Sequence, residues 1–171
     1  MLTELITSQT RIRLLIKFFL NKENTTYLRN LEREIKESSN SIRIELNNLE
    51  SLNLIKSFQS GNKKFYQVNA NHLFYEDIRN LLLKEFGIDK VKELLNENIK
   101  GISQILVFGD FANGIPTNIL DLALVGQDLN KAEVSKNIWD LEQQLSKKIR
   151  YFLLENSELS EFTANTKFFT I

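Results

Sequence analysis

Two apolar runs, residues 102–108 (ISQILVF) and 119–125 (ILDLALV), constrain this chain more than any other feature. Each is one strand long and too short for a core helix. The segment between them holds Gly109, Gly114 and the single proline, Pro116, and reads as turns. Residues 131–146 read as a helix, with Val134, Ile138, Leu141 and Leu145 recurring at three and four positions. Trp139 is expected to cover an edge of that packing face. Residues 149–154 read as a third strand, 156–162 as a short helical turn and 167–171 as a final strand. This order predicts an α/β unit with a small mixed sheet.

The N-terminal part follows a different rhythm. Residues 10–20 place Ile12, Leu15, Ile16 and Phe19 on one helical stripe. Thr25 or Thr26 is the expected cap of a second helix carrying Leu28, Leu31 and Ile35. Ser38 or Ser39 is the expected cap of a third, with Ile42, Leu46 and Leu49. Residues 54–59 and 64–68 read as a hairpin turning at Ser60-Gly61-Asn62. Residues 73–86 and 88–96 read as connector helices interrupted by Gly87. They are too short to be secure alone in water, so their apolar side must pack within the chain or on a second copy.

Composition removes several chemistries. The chain has 171 residues and no cysteine, which excludes disulfides, thiolate metal sites and cysteine nucleophiles. One histidine, His72, gives no zinc set and reads as a local hydrogen-bonding residue. No apolar run approaches the roughly 18 residues of a membrane span, and the N-terminus lacks the order of a signal peptide; a cytoplasmic location is expected. Net charge is zero but divided: residues 1–70 hold 11 Lys or Arg against 7 Asp or Glu, and residues 71–171 hold 11 against 15. A mildly basic N-terminal part is suited to a phosphate backbone.

The stretch from "YLRNLEREI" to "GNKKFYQVN", within residues 8–70, resembles the winged helix-turn-helix domains of small prokaryotic repressors. The stretch "ILVFGDFANGIPTNILDLALVG" resembles the signature of the minimal nucleotidyltransferase fold: strand, Gly-Ser, a small-residue turn, and a strand bearing Asp-x-Asp. Together they imply a two-domain α+β protein, with a winged helix over 1–70, connector helices over 71–98 and a nucleotidyltransferase-like α/β domain over 99–171. In that family the glycine and serine approach nucleotide phosphates, and carboxylates at i and i+2 hold divalent metal. Here Gly109 matches the glycine, Asp110 stands at the serine, and Ala112 and Gly114 match the small residues. Asn113 replaces a common arginine, and Asp121 matches the first carboxylate. Ala123 stands at the second carboxylate and ligates nothing. Arg150 matches the third carboxylate position. The resemblance thus implies a vestigial nucleotide site, with no catalytic residue, metal or cofactor. A rescue would have Asp110 and Asp121 share a cation while Arg150 touches phosphate. Without chemistry, Asp121 reads as a surface or turn-facing acid.

In a winged helix the third helix enters the major groove. The expected exposed set is Asn40, Ser41, Arg43, Ile44, Asn47 and Asn48. Lys63 and Lys64 in the wing, and Arg11 and Arg13 in the first helix, are expected near the phosphate backbone. Solvated surface or protein contact remains the other reading of Arg43 and the wing lysines. Glu45 lies within the same helix and weakens the nucleic-acid case. Tyr27, Phe58, Phe65 and Tyr66 are expected to stabilise the small domain. The leading expectation is a DNA-binding transcriptional regulator, a homodimer on duplex DNA, with an inactive second domain for sensing or dimerisation. The alternatives are an active metal-dependent nucleotidyltransferase and an antitoxin-like module with a protein partner.

Overall fold

A computed structural model describes residues 2–171, with side chains from Glu4 onward. The chain divides into two compact units. One runs to Leu82 and includes Asn113–Ile115; the other comprises Leu83–Ala112 and Pro116–Ile171. Both are mixed α+β, and each contains one small sheet.

The first unit contains α1 (Leu2–Leu5), α2 (Gln9–Phe19), β1 (Thr26–Tyr27), α3 (Leu28–Ile35), α4 (Ser39–Ser51), β2 (Ile55–Ser60) and β3 (Lys63–Val68). The next helix, α5 (Tyr75–Glu85), carries the boundary between the units. Ser8 caps α2 by accepting from the Arg11 amide, and Ser38 caps α4 by accepting from Ser41. The second helix is not capped by Thr25 or Thr26. Thr26 and Tyr27 instead pair with Tyr66 and Phe65, giving an antiparallel sheet of order β1-β3-β2. A β-branched residue beside an aromatic suits that pleated edge better than a cap. The buried face of α2 is broader than one stripe: Ile12, Leu14, Leu15, Ile16, Phe18 and Phe19 are all buried. Lys17 is buried among them, with its ammonium 2.9 Å from Glu34. Phe65 stacks on Phe58 and meets Tyr27 edge-on, as expected of aromatics that hold the small domain.

The second unit contains α6 (Ile88–Asn98), β4 (Ile102–Phe108), α7 (Gly109–Ala112), β5 (Ile119–Gly126), α8 (Lys131–Leu145), β6 (Lys148–Leu154), α9 (Leu159–Asn165) and β7 (Phe168–Thr170). The sheet has order β6-β5-β4-β7, with β5 and β6 parallel and the other pairs antiparallel. This is the mixed sheet the strand order predicts. The short helix expected over 156–162 begins three residues later, at Leu159. Trp139 is exposed and covers no packing edge, because Val134, Ile138 and Leu141 already fill the buried face of α8. Among the described residues, no helix is long and apolar enough to cross a membrane.

Gly114 belongs to the first unit, where it lies against α2. A Cβ built there would sit 2.8 Å from the Arg13 carbonyl oxygen and 3.0 Å from Lys17 Cβ, at a φ of +83°. Gly61 has a comparable φ of +59° with open space around it. Gly114→Ala should therefore cost more than Gly61→Ala, the latter losing about 1–2 kcal/mol from the left-handed backbone alone. Urea denaturation of the two variants measures the difference; equal losses would show that Gly114 is not held against α2.

Candidate functional site: a carboxylate held by arginine

Asp121 lies near the start of β5 and is buried, not turn-facing. Its register partners are Phe108 on β4 and Arg150 on β6, while those of Ala123 are Leu106 and Phe152. Register partners share a face of the sheet, so all six project to one side. Arg150 on β6 is thus the direct strand partner of Asp121.

On that face Arg150 grips Asp121 with two hydrogen bonds. Nε donates to Oδ1 at 2.6 Å and a terminal nitrogen donates to Oδ2 at 2.8 Å. Both carboxylate oxygens are thereby occupied by a planar fork, the strongest geometry a protein offers a carboxylate. The hydrogen bonds that Arg150 donates to Asp121, then the charge of Asp121, with a smaller share from Asp110, raise Arg150 further above the usual guanidinium range. The Asp121 side chain is 7 % exposed and that of Arg150 is 67 % exposed, so the acid is sealed and its partner reaches in from solvent.

The rest of the face is apolar. Phe108 and Phe152, on the strands flanking β5, stack with ring centroids 5.6 Å apart. A stack across the intervening strand needs a small side chain on that face of β5, and Ala123 supplies it. Phe162 of α9 meets Phe108 edge-on at 5.4 Å. Leu106, Ala123 and Val125 form a buried cluster covered by Phe108, Leu154, Leu159, Phe162 and Phe168.

These residues do not fit the metal site of the resembled family. Position 123 has no oxygen, both oxygens of Asp121 are held by Arg150, and Ala123 lies in an apolar cluster. Among the described residues, no group of three or more His, Asp or Glu side chains is placed to hold a metal ion. Arg150, which the rescue would set against phosphate, pairs here with Asp121. Asp110 is exposed at the start of α7. Gly109 has a φ of +68°, and a Cβ there would overlap Asp121 Oδ2. That glycine makes room for the carboxylate. Of the vestigial set, Gly109, Asp110, Asp121, Ala123 and Arg150 gather at one end of β5, whereas Gly114 is packed on α2. The part played by α9 and the phenylalanines was missed from the sequence, although Phe108, Phe152, Phe162 and Phe168 are visible there.

The N-terminal candidates divide as follows. Asn40, Arg43, Ile44, Asn47 and Asn48 are exposed on α4, and Ser41 is half-buried. The Arg43 side chain forms no ion pair or hydrogen bond among the described residues. Arg11 Nε donates to Glu45 at 2.8 Å, and Arg13 donates to the Ile35 carbonyl and pairs with Glu37 at 2.9 Å. Lys64 pairs with Glu50 at 2.8 Å, and the Lys63 ammonium sits 4.4 Å from the centre of the Tyr27 ring. Four of the five candidate cations are thus engaged internally. Glu45 is buried against α2 and is not on the reading face. Burial raises its pKa, but hydrogen bonds from Arg11 and Ser8 outweigh this and leave it below the usual carboxylate range. His72 accepts from the Phe74 amide at 3.2 Å, the local role expected.

No family model matches the chain, and no curated protein matches it. Two solved structures are partly similar. One, a toxin–antitoxin with AMP-PNP, is 24% identical over 39% of this chain and 55% of that chain, with a TM-score of 0.34. The other, a mutant of the toxin–antitoxin MntA-HpeT, is 19% identical over 47% of this chain and 69% of that chain, with a TM-score of 0.37. The matched part of the first is little more than half its length.

Two measurements check this geometry. Arg150→Ala should lower the melting temperature, and the loss should shrink markedly in an Asp121→Asn background, because the cost comes from the stranded carboxylate. Equal losses in both backgrounds would refute the pairing. Glu45→Gln should cost about 0.5–1.5 kcal/mol at neutral pH by removing the charge that the half-buried Arg11 and Ser8 donors meet. A lowered carboxylate pKa stabilises the fold above the ordinary value near 4.5, and that contribution disappears as pH falls through the lower folded value. The wild-type and Glu45→Gln stability curves should therefore converge below pH 4.5 in acid titrations followed by circular dichroism.

Proposed function

We propose that this protein is a non-catalytic nucleotidyltransferase-like protein that acts by binding a protein partner, in the manner of an antitoxin. One observation carries the reading: the acid expected to hold metal is already held, on both oxygens, by Arg150. Catalysis would require displacing that fork and adding a ligand where Ala123 and the phenylalanines pack. The nucleotidyltransferase-like assignment rests on the Gly109–Asp121 signature and on the β4–β5–β6 arrangement that carries it. The winged-helix assignment rests on three helices followed by the β2–β3 hairpin, with β1 completing the sheet.

The exposed surface of α4 favours protein over nucleic acid. It offers three asparagines and Ile44, which is 51% exposed, around a single arginine. Phosphate binding draws on several unpaired cations, and here most are neutralised by neighbours. Apolar and amide side chains beside one arginine suit a protein contact. The DNA-binding regulator is the second reading. Arg43 favours it, being exposed and without an ion pair on the helix that enters the groove in such domains.

Full-length protein incubated with labelled nucleoside triphosphates, magnesium or manganese, and the products of adjacent genes should transfer no label. A stoichiometric complex with one of those products should form on co-expression, and Ile44→Glu should weaken it at least tenfold without loss of fold. Label transfer abolished by Asp121→Ala would contradict the non-catalytic reading. Retardation of duplex DNA at low salt that depends on Arg43, with no protein complex, would instead establish the regulator.

A further inference from the structure

Strand β6 forms one edge of the sheet in the second unit. The Lys148 amide donates to the Asn118 carbonyl at 2.8 Å. By the alternation of a parallel ladder, the backbone groups of Lys148, Arg150, Phe152 and Leu154 then face β5, and those of Ile149, Tyr151, Leu153 and Glu155 face outward. Two of the outward amides are already satisfied. Ile149 donates to Glu142 Oε1 at 2.7 Å, and Glu155 donates to Glu158 Oε2 at 2.8 Å. Between them, the amides and carbonyls of Tyr151 and Leu153 have no hydrogen-bond partner among the described residues.

This open stretch lacks the features that keep sheet edges apart. It pairs with β5 without a bulge, contains no proline and reads Tyr151-Phe152-Leu153. The basic residues of β6 are engaged within the unit, Lys148 with Glu142 and Arg150 with Asp121. An exposed aromatic flanks the edge on each side of the sheet. Phe152 is 55% exposed on the face covered by α9. On the other face, Ser135 meets the Tyr151 hydroxyl at 2.8 Å and Glu142 reaches the Ile149 amide, so the stripe of α8 that holds 135, 139 and 142 borders the edge. Trp139, 61% exposed, stands on that stripe.

The pattern of open and closed amides selects the occupant. It is symmetric about Phe152, with Tyr151 and Leu153 open on either side and Ile149 and Glu155 closed beyond them. Two β6 strands paired antiparallel about a two-fold axis at Phe152 set Tyr151 of each opposite Leu153 of the other. Each of these pairs exchanges two hydrogen bonds, so every open amide of both copies is satisfied and no closed one is needed. A second copy matches this window because it presents the same window. Phe152 meets Phe152 across the axis. Arg150 falls opposite Leu154 and Lys148 opposite Asn156, so no like charges are paired. At each end Ile149, with its Glu142 cap, meets Glu155 with its Glu158 cap, beside Lys148; these acids stop the ladder there.

We propose that β6 is a homodimer interface at which the sheet continues into a second copy, antiparallel about a two-fold axis at Phe152. The interface lies in the second unit and does not depend on the function assigned to α4.

Sedimentation equilibrium of the full-length protein over a concentration series tests this, with circular dichroism confirming that each variant is folded. Wild type should be a dimer at micromolar concentration. Leu153→Pro removes an amide that β5 does not use and should raise the dimer dissociation constant at least tenfold. Phe152→Lys and Phe152→Glu should each weaken the dimer at least tenfold by placing like charges on the axis. An equimolar mixture of the two should recover affinity, since only a pairing centred on residue 152 sets these opposite charges against each other. In nuclear magnetic resonance exchange measurements, the Tyr151 and Leu153 amides should be protected at dimer concentrations and exchange rapidly on dilution. A monomeric wild type, including one that takes a strand of another protein on β6, would overturn the proposal. So would a dimer indifferent to Leu153→Pro, or a mixture that fails to recover affinity.

Discussion

The buried pairing of Asp121 with Arg150 organises the second unit. A carboxylate placed within an apolar sheet face is costly unless its charge is matched and its oxygens are bonded. Arg150 meets both needs from the adjacent parallel strand, and β5 and β6 hold it in register. Gly109 gives the carboxylate its space, since any side chain there would occupy the same volume. A guanidinium fork supplies positive charge to the acid, as a metal would, but it brings no open coordination position.

Ala123 and the aromatic packing are two parts of one arrangement. With a methyl on β5, rings from β4 and β6 meet over the strand, and α9 closes over them through Phe162. The sheet face that carries Ala123 is part of the hydrophobic core. Internal packing and pairing also engage the candidate residues of the first unit. Gly114 lies on α2, Glu45 ties α4 to Arg11, and Lys64 ties the hairpin to Glu50. Residues of the right type for phosphate contact are used instead to join helices.

Much of the fold was legible in the sequence because its elements are strongly periodic. The α2 stripe, the Ser38 cap, the β2–β3 hairpin, and the apolar strands β4 and β5 all follow from local pattern. Two-residue pairing at Thr26–Tyr27 was not legible, because its partners lie about 40 residues away in β3. The candidate site was legible in its list of residues and not in their relations. Sequence alone names Asp121, Ala123 and Arg150, but whether Arg150 meets phosphate or Asp121 depends on register between strands some 29 residues apart. The engagement of Arg11, Arg13 and Lys64 is hidden for the same reason: their acids come from other elements.

The account rests on Asp121 being unavailable to a metal ion, and manganese binding to the full-length protein measures this most directly. Titration followed by electron paramagnetic resonance, with and without a nucleoside triphosphate, should show no stoichiometric protein-bound manganese and no change in Asp121→Asn. One ion bound per chain, lost when Asp121 is replaced, would show that the arginine yields the carboxylate and would contradict the account.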